Sequence, residues 1–248
     1  TKPSGQNAMA FFQIMMGKSI MVKKSSPVAK INRIIAMTKF SLPNLDYFST
    51  TNLTNTDPSW GADQDWFLSS NFHRKAGCGP TTATNILAYL SQVHPNYAPL
   101  WESPNYTGTD YQQMMEKIWT FVTPKRLGLY SFSDFSRGIQ NYGKSHNLSL
   151  QTGILDISYQ WAEKMPWEQV EMFLKDELEA KNPIAFLNYS NGDLKNLTSW
   201  HWVTIVGYQD LSDKNGWATI IDNGLLFEID FKSWYQTTLL GGALVSVK

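Results

Sequence analysis

Cysteine is nearly absent from this chain: its 248 residues hold one, Cys78. A single thiol excludes an internal disulfide framework and cannot build a structural zinc site. No group of His, Cys, Asp and Glu has the spacing of metal ligands, and no phosphate-cradling glycine loop is visible. Neither a metal nor a cofactor is therefore expected. Long apolar runs are missing too, and with them any membrane span. Charge is sparse and balanced, with 21 Lys and Arg against 21 Asp and Glu. A nucleic-acid partner would demand a basic excess, so that class is excluded. What remains is a chain long enough to bury a substantial core, as one large domain or a domain with an extension.

The one cysteine stands where a thiol becomes reactive. It lies in Gly77-Cys78-Gly79-Pro80-Thr81-Thr82, directly before the helix-like run Ala83-Thr84-Asn85-Ile86-Leu87-Ala88-Tyr89-Leu90. A helix N-terminus offers free N–H groups and the positive end of the helix dipole, and both favour the nucleophilic thiolate. Pro80 suits the first helical turn, and the two glycines allow a tight turn that leaves the sulfur uncrowded. A buried structural cysteine is the commoner fate of a lone Cys. The hexapeptide alone leaves both readings open.

A nucleophilic cysteine needs a base, and the histidines are His73, His94, His146 and His201. His201 opens Trp202-Val203-Thr204-Ile205-Val206-Gly207, which reads as a buried strand rich in β-branched residues. A polar loop over residues 209–216 leads to a second strand, Trp217-Ala218-Thr219-Ile220-Ile221, closed by the turn signal Asp222-Asn223-Gly224. An antiparallel pair brings the start of the first strand and the end of the second together. Asp222 or Asn223 can therefore reach the imidazole of His201. A third group orienting the base is the logic of nucleophilic triads.

The three pieces together resemble the papain-like cysteine peptidases, and most of all the branch of bacteriocin-processing, double-glycine-leader peptidases. They are Gly77-Cys78-Gly79-Pro80-Thr81-Thr82, His201-Trp202-Val203-Thr204-Ile205-Val206-Gly207-Tyr208 and Ile221-Asp222-Asn223-Gly224. The resemblance covers roughly Gln64 to the C-terminus, with the stretch between Pro95 and Gln160 outside it. It implies Cys78 as nucleophile, His201 as base and Asp222 as the orienting residue, with Asn223 the alternative third member. It also implies a peptide or protein substrate. The family usually carries a glutamine six positions before the cysteine as oxyanion donor. Phe72 stands there, flanked by Asn71 and His73, with Gln64 further back. Asn71 has the amide chemistry and is expected to share the oxyanion with the backbone N–H of Cys78. Abundant Trp and Tyr beside many Asn, Ser and Thr residues suit an extracellular or cell-surface protein of a bacterium.

Residues 1–59 read as an N-terminal extension and residues 60–248 as the peptidase domain. The sequence opens on Thr1, as a mature form or a fragment would. Residues 1 to about 40 are either a propeptide-like cover for the groove or a plain helical extension, with helical spacing over residues 28–40. The Asn-, Thr- and Ser-rich residues 41–59 read as loop. Trp60, Trp66, Phe67 and Phe72 are expected mainly to pack beneath the nucleophile helix. Helices are expected over residues 111–122, 133–142 (Ser133 and Asp134 as caps) and 166–181. Strands are expected over 183–189, 202–207, 217–221, 225–231 and 243–247. His94 and His146 read as surface residues, and Glu177 and Glu179 as outward-facing, which sets aside a two-carboxylate glycosidase.

Helices gathered in the first half and consecutive strands without crossovers define an α+β chain. The resemblance makes it papain-like: a helical N-terminal lobe whose nucleophile helix packs on an antiparallel C-terminal sheet or half-barrel. The expected function is peptide-bond hydrolysis through a Cys-His-Asp triad and a thioester. Two other readings stay open: a transglutaminase-like acyl transferase, and a non-catalytic binding protein that kept the fold.

Overall fold

Turn signals and apolar runs divide the chain into short elements. The computed structural model describes residues 40–157, 164–212 and 215–248. In chain order, β1 (Phe40–Ser41) leads to a 3-10 turn at Leu45–Phe48 and a ribbon of β2 (Ser49–Thr51) and β3 (Pro58–Trp60). A second 3-10 turn, Gln64–Trp66, precedes helices α1 (Asn71–Ala76) and α2 (Cys78–Val93). Helices α3 (Gly108–Trp119) and α4 (Phe132–Ser145) follow, then β4 (Thr152–Asp156), α5 (Trp167–Glu179) and β5 (Ile184–Asn188). The chain closes with β6 (His201–Ser212), β7 (Asn215–Asp222), β8 (Leu225–Asp230), α6 (Phe231–Thr237) and β9 (Gly242–Val247).

The main sheet is antiparallel, in the order β4-β9-β5-β6-β7-β8, and β1 pairs with β6 beyond the end of β5. Every residue of β5 and β9 is buried, as continuous apolar runs require. Helix α2 packs against β6 and β5, and α5 against β6 and β1. This is the α+β arrangement expected, with the nucleophile helix lying on the antiparallel sheet.

Helix α2 is sealed from solvent from Cys78 to Ser91. Its polar side chains are small and their needs are met inside. Thr84 Oγ1 donates to the Pro80 carbonyl at 2.9 Å and Ser91 Oγ to that of Ala88 at 2.8 Å. Asn85 accepts from the Ala62 N–H at 2.8 Å and donates weakly to Thr204 of β6 at 3.5 Å.

Several expectations are corrected. Residues 40–59 belong to the packed domain, not to an extension or a plain loop. Leu42, Leu45 and Phe48 are buried, Phe48 stacks on Tyr89 at 4.9 Å, and Leu42 N–H donates to Val206 at a bulge of β6. Residues 1–39, including the helical spacing before Phe40, lie outside the described residues. Helix α3 begins before residue 111 because Thr107 and Asp110 form a capping box. Ser131, not Ser133, caps α4. The polar stretch after Tyr208 continues as paired strand, with Gln209 opposite Trp217. His146 is partly buried, its Nε2 2.7 Å from Glu102. Glu177 is half-buried and accepts from Asn182 and Lys248, while Glu179 is exposed as expected.

Candidate active site

Cys78 is the first residue of α2 and is 8% exposed. The two glycines around it serve close packing. Gly77 has φ −81°, which any residue adopts, but a Cβ there would lie 2.4 Å from the Phe67 ring and 2.5 Å from the His73 carbonyl. A Cβ at Gly79 would lie 2.6 Å from Leu129. The glycines thus admit the segment ending at Phe67 on one side of the thiol and the Leu129 loop on the other.

His201 is the first residue of β6, opposite Asn188 of β5, and is 7% exposed. Asn188 is fixed in turn, donating to the Thr198 carbonyl at 2.6 Å and accepting from the Trp234 indole at 2.9 Å. Asp222 ends β7, next to the two-residue turn Asn223–Gly224, whose φ values of 45° and 73° suit Asn-Gly. Buried Ser59 and Trp60 clamp that turn, with Trp60 N–H donating to the Gly224 carbonyl at 2.8 Å. The hairpin end is therefore held in place before any ligand arrives.

The imidazole is gripped from two sides. Its Nε2 donates to Asp222 Oδ1 at 2.7 Å, and the Cys78 side chain lies close enough to act on its charge. Burial disfavours the charged ring. The hydrogen bonds and charges of Asp222 and Cys78 outweigh that cost and hold its pKa up to about 10. Asp222, and not Asn223, makes the contact; Asn223 is exposed at the turn.

Gln64 is a residue for which the sequence reading found no role. It lies between Asp63, which feels the charge of Asp222, and Phe67, which packs on Gly77. Its amide Oε1 is buried without a hydrogen-bond partner. Asn71 is placed differently: it is exposed on α1, its Oδ1 bonded to the Arg74 guanidinium. Helix α1 stands between the Gln64 turn and Cys78 in the chain. Asp63 is held above the usual carboxylate range by burial and by the neighbouring carboxylates of Asp65 and Asp222, against the pull of the Asp65 N–H.

Among the described residues, no group of three or more His, Cys, Asp or Glu side chains is arranged to hold a metal. No described helix is long and apolar enough to cross a membrane.

A helix-borne cysteine set against a strand-borne histidine and carboxylate defines the class: this is a cysteine peptidase. The profile of the "Peptidase_C39 like family" matches residues 62–223, a span that runs from just before Gln64 to just after Asp222. The chain belongs to that family. A comparison with curated proteins finds no match. Among solved structures, the chain is similar to a double glycine motif protease from an AMS/PCAT transporter in complex with the leader peptide. Identity is 14% over 73% of this chain and 88% of that one, with a TM-score of 0.37, a loose likeness of backbone.

Proposed function

We propose that the protein hydrolyses peptide bonds with Cys78 as nucleophile, His201 as base and Asp222 as orienting residue. The observation that carries this reading is the imidazole bonded to Asp222 at 2.7 Å, with the Cys78 side chain near enough to support its charged form. With Nε2 given to Asp222, the other ring nitrogen is left for the thiol. A histidine held charged to about pH 10 is suited to a thiolate–imidazolium pair.

The thiolate adds to the peptide carbonyl. The oxyanion takes the backbone N–H of Cys78, at the open start of α2, and the side-chain amide of Gln64. Collapse breaks the C–N bond, and His201 gives its proton to the leaving amine, leaving a thioester. Neutral His201 then takes a proton from water as it attacks, and the carboxylic acid leaves as the thiolate is restored. Asp222 keeps the ring in one tautomer throughout.

The test is the pH dependence of Cys78 alkylation by iodoacetamide, wild type against His201→Ala. Fast reaction of wild type well below the ordinary thiol value of about 8.5, lost in the variant, is the expected result. Equal profiles for both proteins overturn the pair. A product that forms only when an amine is added would redirect the same thioester to acyl transfer.

A further inference from the structure

Helix α3 reaches the chain around the Gln64 turn and holds its backbone with side chains. Gln112 and Glu116 stand one helical turn apart, on one face of α3. Gln112 Nε2 donates to the Trp66 carbonyl at 2.7 Å. Glu116 Oε1 accepts from the Leu68 N–H at 2.7 Å and from the Ser69 N–H at 3.0 Å, and its other oxygen accepts from Ser69 Oγ. From α1, Arg74 closes the set by donating to the Phe67 carbonyl at 2.8 Å. The run from Trp66 to Ser69 is thus held at every residue by a side chain of a neighbouring helix.

Stability alone gives little reason for such a grip. Leu68 and Ser69 are exposed, Leu68 at 73%, so water could satisfy their N–H groups as a carboxylate does. A hydrogen bond that replaces one to water adds little to folding. What it adds is position. The carboxylate is itself oriented: His73, stacked on Trp119 of α3 at 3.7 Å, brings Nδ1 to 3.4 Å from Oε2. Burial favours the neutral acid, but the bonds from Ser69 and Leu68 and the charge of His73 outweigh it and hold the Glu116 carboxyl below its usual range. Charged, it makes the stronger, charge-assisted kind of bond to both N–H groups. The gripped run starts inside the Gln64 turn, and the Phe67 N–H donates back to the Gln64 carbonyl at 3.3 Å.

We propose that Glu116, with Gln112 beside it, is a positioning residue of the peptidase that sets the oxyanion-binding amide of Gln64. Both act through that amide and not on the substrate. They fix the backbone after the Gln64 turn, as Asn85 fixes it before the turn at Ala62, so that the amide meets the oxyanion already in place. A displacement of the amide by ~1 Å would forfeit most of its effect. This rests on the hydrolase reading above and on Gln64 as its second donor.

The experiment is a double-mutant cycle in the full chain. It reads kcat and KM on the best-cut member of a fluorogenic peptide library, with iodoacetamide alkylation of Cys78 and thermal unfolding in parallel. Glu116→Ala should lower kcat by about 10- to 100-fold and leave KM within about 3-fold. In the Gln64→Ala background the same substitution should cost less than about 3-fold, because the amide it positions is gone. Alkylation needs no oxyanion and should keep the wild-type rate. Glu116→Gln retains the Oε1 acceptor and should hold kcat within about 5-fold of wild type. Gln112→Ala should repeat the pattern of Glu116→Ala, and it completes the cycle if Glu116→Ala does not fold. Equal losses in both backgrounds, or alkylation lost along with kcat, would mark a merely structural role and overturn the clamp while the hydrolase reading stands. Full kcat in Glu116→Ala beside a large loss in Gln64→Ala does the same. Full activity in Gln64→Ala overturns the role of the amide and the clamp with it, and no turnover of any peptide by the wild type overturns the hydrolase reading as well.

Discussion

Gln64→Ala separates a catalytic amide from a structural one. The Gln64 Oε1 has no hydrogen-bond partner in the folded chain, so truncation breaks no hydrogen bond there and orphans no buried partner. The loss of folding stability should stay under about 1 kcal/mol, close to that of a surface substitution. The transition state is another matter. Two donors would face the oxyanion, one from the Cys78 backbone and one from Gln64. Removing one preorganised donor costs about 100- to 1,000-fold in kcat, or roughly 3–4 kcal/mol. Because the ground-state carbonyl feels the donor less, KM should change little.

The assay is steady-state hydrolysis of a fluorogenic peptide, with thermal unfolding in parallel and iodoacetamide alkylation of Cys78 as a control for the thiolate. Alkylation involves no oxyanion, so it should survive in Gln64→Ala. Asn71→Ala loses only a surface contact to Arg74 and should keep activity within about 2-fold, a change of under 0.5 kcal/mol. If Gln64→Ala keeps more than a third of the activity, or if Asn71→Ala shows the large loss instead, the assignment is refuted.

Further outcomes follow from the same geometry. His201 is raised from 6.5 to about 10, so its charged form contributes stability in full below pH 6.5, and that contribution fades as pH rises through about 10. The kcat/KM profile should accordingly fall on an alkaline limb near pH 10, and Asp222→Ala should draw the limb down by about 1–2 pH units, since one of the two groups holding the charge is gone. Asp63 carries a raised pKa, so its ionised form costs stability at neutral pH and ceases to do so once protonated in acid. Asp63→Asn, which can still accept from the Asp65 N–H, should raise the melting temperature at pH 7 and lose that gain below about pH 4; an equal gain at both pH values would refute the electrostatic account. Asn85→Ala should cost about 2 kcal/mol in chemical denaturation by orphaning the buried Ala62 N–H, and should lower kcat because the turn carrying Gln64 loses its anchor to α2.

The parts of the molecule that were legible in sequence are those where side-chain pattern and backbone pairing agree. β6, β7 and β9 carry β-branched and aromatic residues because both their faces are covered, and Asn223–Gly224 fixed the hairpin end that carries Asp222. The rest was hidden by particular physical causes. β1 to β3 sit in a polar sequence whose apolar anchors, Leu42, Leu45 and Phe48, are too few to show a period. β4 is an edge strand, half-exposed and interrupted by Gly153, so its pairing with β9 leaves little trace in side chains. α6 begins with Phe231, which read as the end of a strand; the cap of Asp230 on the Ser233 N–H starts the helix there instead. The outer half of the β6–β7 hairpin is polar because backbone hydrogen bonds sustain it where no core is at hand.

Charge explains why the pieces of the site sit where they do. In the proposed ion pair, a thiolate, an imidazolium and the Asp222 carboxylate would sum to one negative charge in a nearly sealed space, and an ionised Asp63 would add another. Low-dielectric surroundings strengthen the attraction within the pair, but they also raise the cost of the surplus. Burial is the main cause of the raised pKa of Asp63, and the charges of Asp65 and Asp222 add to it. The Cys78 thiol stands at the opening residue of a sixteen-residue helix, where aligned peptide dipoles place roughly half a positive charge. Moving the thiol one turn along α2 would keep it buried but remove that half charge and the free N–H groups, leaving the surplus uncompensated. In the proposed mechanism the helix start would do two things at once: favour the anion before attack and offer the same N–H to the oxyanion after it. A lone cysteine buried for packing would have no reason to occupy that residue, with a histidine locked between it and a carboxylate.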